Sequence, residues 1–173
     1  MMLSQRGIGL IEVLVSLVIL TIAILGFAAL QIRALNAIQE ANDRTAAMIL
    51  ARNLAEQIRV NRTQLNEYKK QLNANNTSAK NCMKADTASE TAPAITAMCS
   101  RTEMAAFDVA QVLKTAKKQD MKMLMQNCQG GDRQCLYITW GDTTITSTDL
   151  SKCMEDGVYV AGAKCLVMEA YGL

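Results

Sequence analysis

The chain has 173 residues, a length that accommodates one compact domain with an appendage and excludes a large multidomain enzyme. Lys and Arg number 18 against 16 Asp and Glu, so the net charge of +2 gives no reason to expect strong attraction to nucleic acid or acidic lipid. The sequence contains no histidine, which removes the side chain most often used as a general acid, general base or metal ligand near neutral pH.

The first predicted element is an apolar helix near the N-terminus. Residues 13–32 carry no charge and are rich in Leu, Ile and Val, and their number is about what an α-helix needs to cross a bilayer. The preceding residues 1–7 have Arg6 as their one charged side chain, and a short positive leader tends to stay in the cytoplasm, so we expect the bulk of the chain outside. Residues 20–35 lack the polar break that would favour signal-peptide cleavage there, so we expect the apolar segment to be retained.

Glu12 lies one position before this uncharged run. An unpaired carboxylate at membrane depth costs a few kcal/mol on insertion scales. Two interpretations are open: the side chain reaches water at the headgroup level, or a positive charge from a neighbour pairs with it.

Residues 6–16, with the sequence RGIGLIEVLVS, resemble the prepilin cleavage and assembly motif of type IV pilins and type II secretion pseudopilins. The leader, the glycine, the spacing to the glutamate and the apolar run occur together. The resemblance implies that a prepilin peptidase cuts after Gly7, that the new N-terminus at Ile8 is methylated, and that Glu12 pairs with the N-terminal amine of an adjacent subunit. A carboxylate and an ammonium attract strongly in a low dielectric, whereas either alone is penalised.

Two departures from the major pilins narrow the resemblance. Ile8 stands where many major pilins have phenylalanine, and the apolar helix lacks the proline that many of them contain. Both departures are typical of minor pilins and pseudopilins. The segments 9–16, 54–61 and 99–108 most resemble the minor pilins of the PilV type, which are type IV pilus modification proteins. That resemblance implies a role in priming pilus polymerisation, at or near the tip, and in adhesion or twitching motility.

After Arg33 the pattern becomes amphipathic and predicts that the helix continues, so that one helix covers about 8–61. We expect 1–7 to be the cleaved leader, 8–33 the transmembrane and filament-core part, 34–61 the amphipathic part, and 62–173 a periplasmic globular domain. Residues expected on the face that packs against this domain recur every three or four positions: Leu35, Ile38, Thr45, Met48, Ala51, Ala55 and Ile58.

Six cysteines follow the apolar segment, and an even number in an exported domain favours disulfides. No pair has the spacing of a zinc knuckle and no histidine could complete a mixed site, so we expect no metal. We favour a bridge between Cys82 and Cys99, which would restrain a predicted loop over 73–99 by about 3 kcal/mol in the chain-entropy model. Local pairs are also possible between cysteines that flank predicted turns, although the sequence leaves the connectivity open. These are Cys128 with Cys135 and Cys153 with Cys165.

A second helix is predicted to start near Arg101, because Ser100 and Glu103 form a capping-box pattern. Four lysines are expected on one side of it: Lys114, Lys117, Lys118 and Lys122. A solvated face is the interpretation we favour, and a contact with a nucleic-acid backbone or an acidic neighbour is the alternative.

The C-terminal third is predicted to form strands. Residues 136–140 alternate with period two, and 143–148 are rich in β-branched residues. The runs 158–160 and 164–171, separated by Ala-Gly-Ala, predict a hairpin. The methionines at 121, 123 and 125 are interpreted as core filling or a contact surface. A sheet of three or four antiparallel strands follows from these elements.

Together these observations predict an α+β pilin fold: a long N-terminal helix packed on a small, disulfide-stabilised antiparallel sheet. The function that the resemblance implies is structural, without cofactor or catalysis. Its partners would be other minor and major pilins, the prepilin peptidase and the inner-membrane assembly platform, with no nucleic acid expected. We expect a single-pass inner-membrane protein, its N-terminus cytoplasmic and its domain periplasmic, that then joins the pilus.

Three rival functions differ from this one. A minor pseudopilin of type II secretion shares the N-terminal machinery and differs mainly in its globular domain. A pilin-like DNA-uptake component would use the lysine face. A membrane-anchored enzyme or receptor is disfavoured, because no histidine is present and the cysteines are expected to be paired.

Overall fold

The computed structural model describes residues 9–83 and 99–170, and the chain falls into two compact units, Met1–Asn42 and Asp43–Leu173. Helix α1 runs from Leu10 to Val60 and contains 51 residues. Its sequence has no proline, the residue that would remove a helical hydrogen bond and clash with the preceding turn. The prediction of one continuous N-terminal helix is confirmed.

The larger unit begins with the C-terminal part of α1, which buries one face. That face consists of Ala47, Leu50, Ala51, Leu54, Ala55 and Ile58. The predicted packing stripe is therefore right for Ala51, Ala55 and Ile58 and wrong for others, since Leu35 and Ile38 are 64% and 57% exposed. Both of these residues precede the larger unit, whose first residue is Asp43. Thr45 and Met48 are also exposed, because the buried face begins at Ala47 and continues at Leu50.

Two further helices cover the sheet. A single 3-10 turn at Arg62–Gln64 separates α1 from α2, Leu65–Asn73. Helix α3, Arg101–Lys118, begins with the predicted capping box. The Ser100 hydroxyl accepts a hydrogen bond from the Glu103 N–H at 3.2 Å, and the Ser100 N–H donates to Glu103 Oε2 at 2.8 Å.

Helices α2 and α3 end in the same motif. Each is followed by a residue with a left-handed backbone, Asn75 at φ 51° and Asp120 at φ 53°. The next N–H bonds back to a carbonyl of the last turn, from Asn76 to Gln71 and from Met121 to Ala116. These are Schellman motifs, which satisfy carbonyls that a helix end leaves without partners.

Three antiparallel strands form the main sheet in the order β1-β2-β5. Their bounds are β1 Lys122–Asn127, β2 Gln134–Thr139 and β5 Cys165–Glu169. A separate hairpin pairs β3, Met154–Glu155, with β4, Val158–Tyr159. The fold class predicted from the sequence, an α+β arrangement with a small antiparallel sheet, is confirmed.

Three predictions for this part of the chain need correction. The expected hairpin through 161–163 does not form, because β4 pairs with β3 and β5 pairs with β2. Residues 143–148 form no strand; a turn holds them instead, with the Thr146 N–H bonded to the Asp149 carbonyl. Lys122 is the first residue of β1 and so lies outside α3. The prediction of core filling by Met121, Met123 and Met125 is confirmed, since all three are buried in the main core.

The sheet buries both faces. One face packs on the helices and contributes Met123, Met125, Leu136 and Ile138 to the main core. The other face packs Leu124 and Tyr137 against Ile145 and the buried cysteines of the C-terminal segment. Alternation along a strand produces this division, since successive side chains point to opposite faces.

Three disulfides stabilise the larger unit. They join Cys82 to Cys99, Cys128 to Cys135, and Cys153 to Cys165. The first is the pair favoured from the sequence, and it closes the segment around residues 84–98. The second closes the β1–β2 turn, and the third attaches the β3–β4 hairpin to the start of β5.

Candidate assembly site

The first turn of α1 holds the one acidic side chain of the apolar segment. The Gly9 carbonyl accepts hydrogen bonds from the N–H groups of Glu12 at 2.9 Å and Val13 at 3.5 Å, so Glu12 occupies the third helical position. Gly9 has no side chain to cap the remaining N–H groups, and a carboxylate in the first turn complements the positive end of the helix dipole. Over the described ranges, no side chain or backbone group bonds the Glu12 carboxylate.

Two hydroxyl side chains of the segment are satisfied within the helix. The Ser16 hydroxyl donates to the Val13 carbonyl and the Thr21 hydroxyl to the Val18 carbonyl, each at 2.8 Å. Back-bonding of this kind lets a hydroxyl lie in an apolar environment without an unpaired donor. Glu12 differs from both, because its carboxylate can be satisfied only from outside the described part of the chain.

Every described residue from 9 to 42 is exposed. This part of α1 is long and apolar enough to cross a membrane, and none of its most apolar stretch is buried. Length and composition alone are weak evidence for a span, since signal sequences and core helices share them. Exposure on all sides excludes a core helix of this chain, and the apolar surface therefore requires lipid or other subunits as its surroundings.

Two family models match the chain. The prokaryotic N-terminal methylation motif matches residues 2–28, and the family described as type IV pilin Tt1218 matches residues 29–110. The chain is a type IV pilin-like protein. No curated protein and no solved structure matches it significantly.

The methylation motif of this pilin spans the predicted cleavage and assembly residues. Gly7 and Ile8 lie outside the described residues, whereas Glu12 lies in the first turn of α1. The motif and the apolar helix together fit a membrane-anchored pilin. The family is a structural one, so a role in filaments explains the exposed helix without any catalytic group.

The larger unit has both acidic and basic side chains on its surface. The described residues contain no group of three or more Cys, Asp, Glu or His side chains able to hold a metal ion.

The lysine face is smaller than predicted. Lys114, Lys117 and Lys118 lie on α3, and the last two are in its final turn, where they complement the negative end of the helix dipole.

Side chains protect both edges of the sheet, a feature that the sequence did not reveal. On the β1 edge, the Asn73 amide donates to the Met125 carbonyl at 3.0 Å and its oxygen accepts from the Met125 N–H at 2.9 Å. On the β5 edge, the Tyr159 hydroxyl accepts from the Val167 N–H at 2.9 Å. No local pattern signals such contacts, since Asn73 and Met125 are 52 residues apart.

Proposed function

We propose that the chain is a minor pilin of the PilV type that is made as a precursor, cleaved after Gly7 and methylated at Ile8. The observation that carries this proposal is the Glu12 carboxylate, which lies in the first turn of an apolar, fully exposed helix and has no partner in the described chain. The methylated amine of an adjacent subunit would supply the missing cation. A buried carboxylate left without its partner costs about 3–5 kcal/mol, so this pairing would hold an incoming subunit in register.

In this proposal the N-terminus starts in the cytoplasm and the disulfide-bonded unit lies in the periplasm, where disulfides form and persist. The subunit would meet the prepilin peptidase, the inner-membrane assembly platform, and other minor and major pilins. It would prime polymerisation at or near the pilus tip and thereby affect adhesion and twitching motility. The family match extends over residues 29–110, which supports a pilin over a secretion pseudopilin.

Intact-mass analysis of the protein extracted from membranes tests the processing steps. The expected mass is that of a chain beginning at methylated Ile8, with a gain of two hydrogens on reduction for each of the three disulfides. A chain that still begins at Met1 would refute cleavage and would favour the rival function of a membrane-anchored receptor.

Deletion of the gene distinguishes a pilus subunit from a secretion pseudopilin and from a DNA-uptake component. We expect fewer surface pili and reduced twitching, with both restored by the wild-type gene. Loss of type II secretion with normal pili would identify a minor pseudopilin instead. Loss of DNA uptake with normal pilus number and twitching would identify a DNA-uptake component.

A further inference from the structure

The described part of the β1 edge is open at Met123. In the β1–β2 ladder the even-numbered residues of β1 exchange hydrogen bonds with β2, and the Cys128 N–H continues this pattern by donating to the Arg133 carbonyl at 2.7 Å. The N–H and C=O groups of Met123 and Met125 therefore point away from β2. Asn73 satisfies those of Met125, but no group of the described residues bonds the main chain of Met123 on this edge.

The open position lies in a groove of about 400 Å³. One wall comes from the helix layer and includes Leu72 and Leu113. The other wall is the segment 145–147, whose Ile145 packs on the opposite face of the sheet with Leu124. Because the walls stand on opposite faces of one sheet, the groove is a slot beside the edge of β1.

The charged side chains that line this slot are mainly basic. Lys117 and Lys122 line it, and Asp120 is its one lining carboxylate. Lys117 also borders a neighbouring surface depression lined by Lys114 and Lys118. None of these four lysines has an ion pair within the described ranges, so the charge is available to a partner.

We propose that the β1 edge at Met123 binds an extended, acidic segment of another polypeptide by strand addition. Main-chain hydrogen bonds to Met123 would provide the pairing, and the two apolar walls would receive alternate side chains of the segment. The carboxylates of the segment would lie near Lys117 and Lys122, which favours acidic over basic partners. Asn73 already occupies the edge at Met125 in the way an added strand would, which sets the end of the site.

The experiment uses the full-length chain in detergent micelles and, as probe, a short peptide of alternating valine and glutamate with blocked ends. Amide hydrogen exchange, followed by NMR, reports on individual main-chain groups. At saturating peptide, exchange of the Met123 amide should slow by about tenfold or more, because its N–H gains an acceptor. The Met125 amide should change little, since Asn73 already bonds it. The same peptide with every amide N-methylated cannot pair along either of its edges and should not protect Met123.

Charge reversal provides matched variants. The double variant Lys117→Glu, Lys122→Glu should weaken peptide binding by about tenfold, whereas Lys118→Glu should change it by less than about twofold. Lys118 is in the same helical turn as Lys117 but does not line the groove.

Three results would overturn the proposal. The first is no binding of the unmethylated peptide at millimolar concentration. The second is binding that leaves exchange of the Met123 amide unchanged. The third is binding of a short single-stranded DNA in preference to the peptide, which would assign the lysines to a phosphate backbone and leave the edge unused.

Discussion

The Tyr68 hydroxyl donates a hydrogen bond of 2.6 Å to Oδ2 of Asp108 and thereby joins α2 to α3 across 40 positions of sequence. Tyr68 is fully buried, and this burial raises its pKa far above the usual value, with the hydrogen bond to Asp108 adding to the shift. Burial also raises the pKa of Asp108, although the bond from Tyr68 lowers it. A partly buried hydrogen bond thus connects the two helices.

Removal of the Tyr68 hydroxyl should destabilise the fold. In Tyr68→Phe the partly buried Asp108 carboxylate loses its donor, so we expect the free energy of unfolding to fall by about 1–3 kcal/mol. Asp108→Asn keeps an acceptor for the Tyr68 hydroxyl and should cost much less at pH 7. Urea denaturation, followed by far-ultraviolet circular dichroism, measures the free energy of unfolding of both variants. An equal loss in the two variants would show that the carboxylate charge matters more than the hydrogen bond.

The raised pKa of Asp108 makes stability depend on pH. The folded chain keeps the proton at pH values where the unfolded chain has released it, so the free energy of unfolding falls as pH rises between the ordinary value of 3.8 and the raised one. Asp108→Asn lacks this dependence. Its free energy of unfolding, minus that of the wild type, should therefore increase with pH through this interval and remain constant above it.

The measurement uses the difference in the free energy of unfolding between Asp108→Asn and the wild type, because other carboxyls make stability change with pH in the opposite direction. The Ser100 N–H lowers the pKa of Glu103, and Lys164 lowers that of Asp142, so their contributions are present at neutral pH and are lost as pH falls. These contributions are common to both proteins and cancel. A difference that does not change with pH would contradict the shift at Asp108.

Replacement of Asp120 by glycine should stabilise the Schellman motif that ends α3. Asp120 has φ 53°, a conformation that glycine adopts without steric cost, so Asp120→Gly should raise the free energy of unfolding by about 0.5–1 kcal/mol. Asp120→Asn removes the charge but keeps a side chain. If thermal denaturation shows the same gain for Asn as for Gly, the gain comes from the lost charge near the negative end of the helix and not from the backbone.

Glu12→Gln should separate processing from assembly. The variant keeps the cleavage residues, so we expect a mature chain in the membrane. Its incorporation into sheared pili should fall by about a hundredfold or more, because the N-terminal amine of the neighbouring subunit loses its carboxylate partner. Quantitative immunoblotting measures the amount of the subunit in sheared pili relative to the amount in membranes. Glu56→Gln is the matched control, since Glu56 is on the same helix in an exposed pair with Arg59 at 3.6 Å. Normal incorporation of Glu12→Gln would contradict the proposed pairing.

Much of the helical part could be predicted from local patterns. The uninterrupted apolar run and the absence of proline predict α1, and the Ser100–Glu103 capping box predicts the start of α3 to the residue. These signals are local because helical hydrogen bonds join residues four positions apart. The choice of Cys82 with Cys99 also rested on a local property, the length of the loop between them.

The strands were harder to predict for a physical reason. The three methionines over 121–125 fill the main core as predicted, but local composition gave no sign of the strand that holds Met123 and Met125. The hairpin error has a similar origin. The run 164–171 was expected to pair with the strand nearest in sequence. In the structure β5 pairs with β2, where its side chains pack into the apolar clusters on both faces of the sheet.

The sequence by itself determined the membrane-length helix, the position of Glu12 and the pilin family, since each depends on residues adjacent in the chain. Only the tertiary structure decided the contacts between distant residues: Tyr68 with Asp108, Asn73 with the edge of β1, and the slot beside Met123. Such contacts depend on how helices and sheet pack together, and packing is a property of the whole buried core that no short segment encodes.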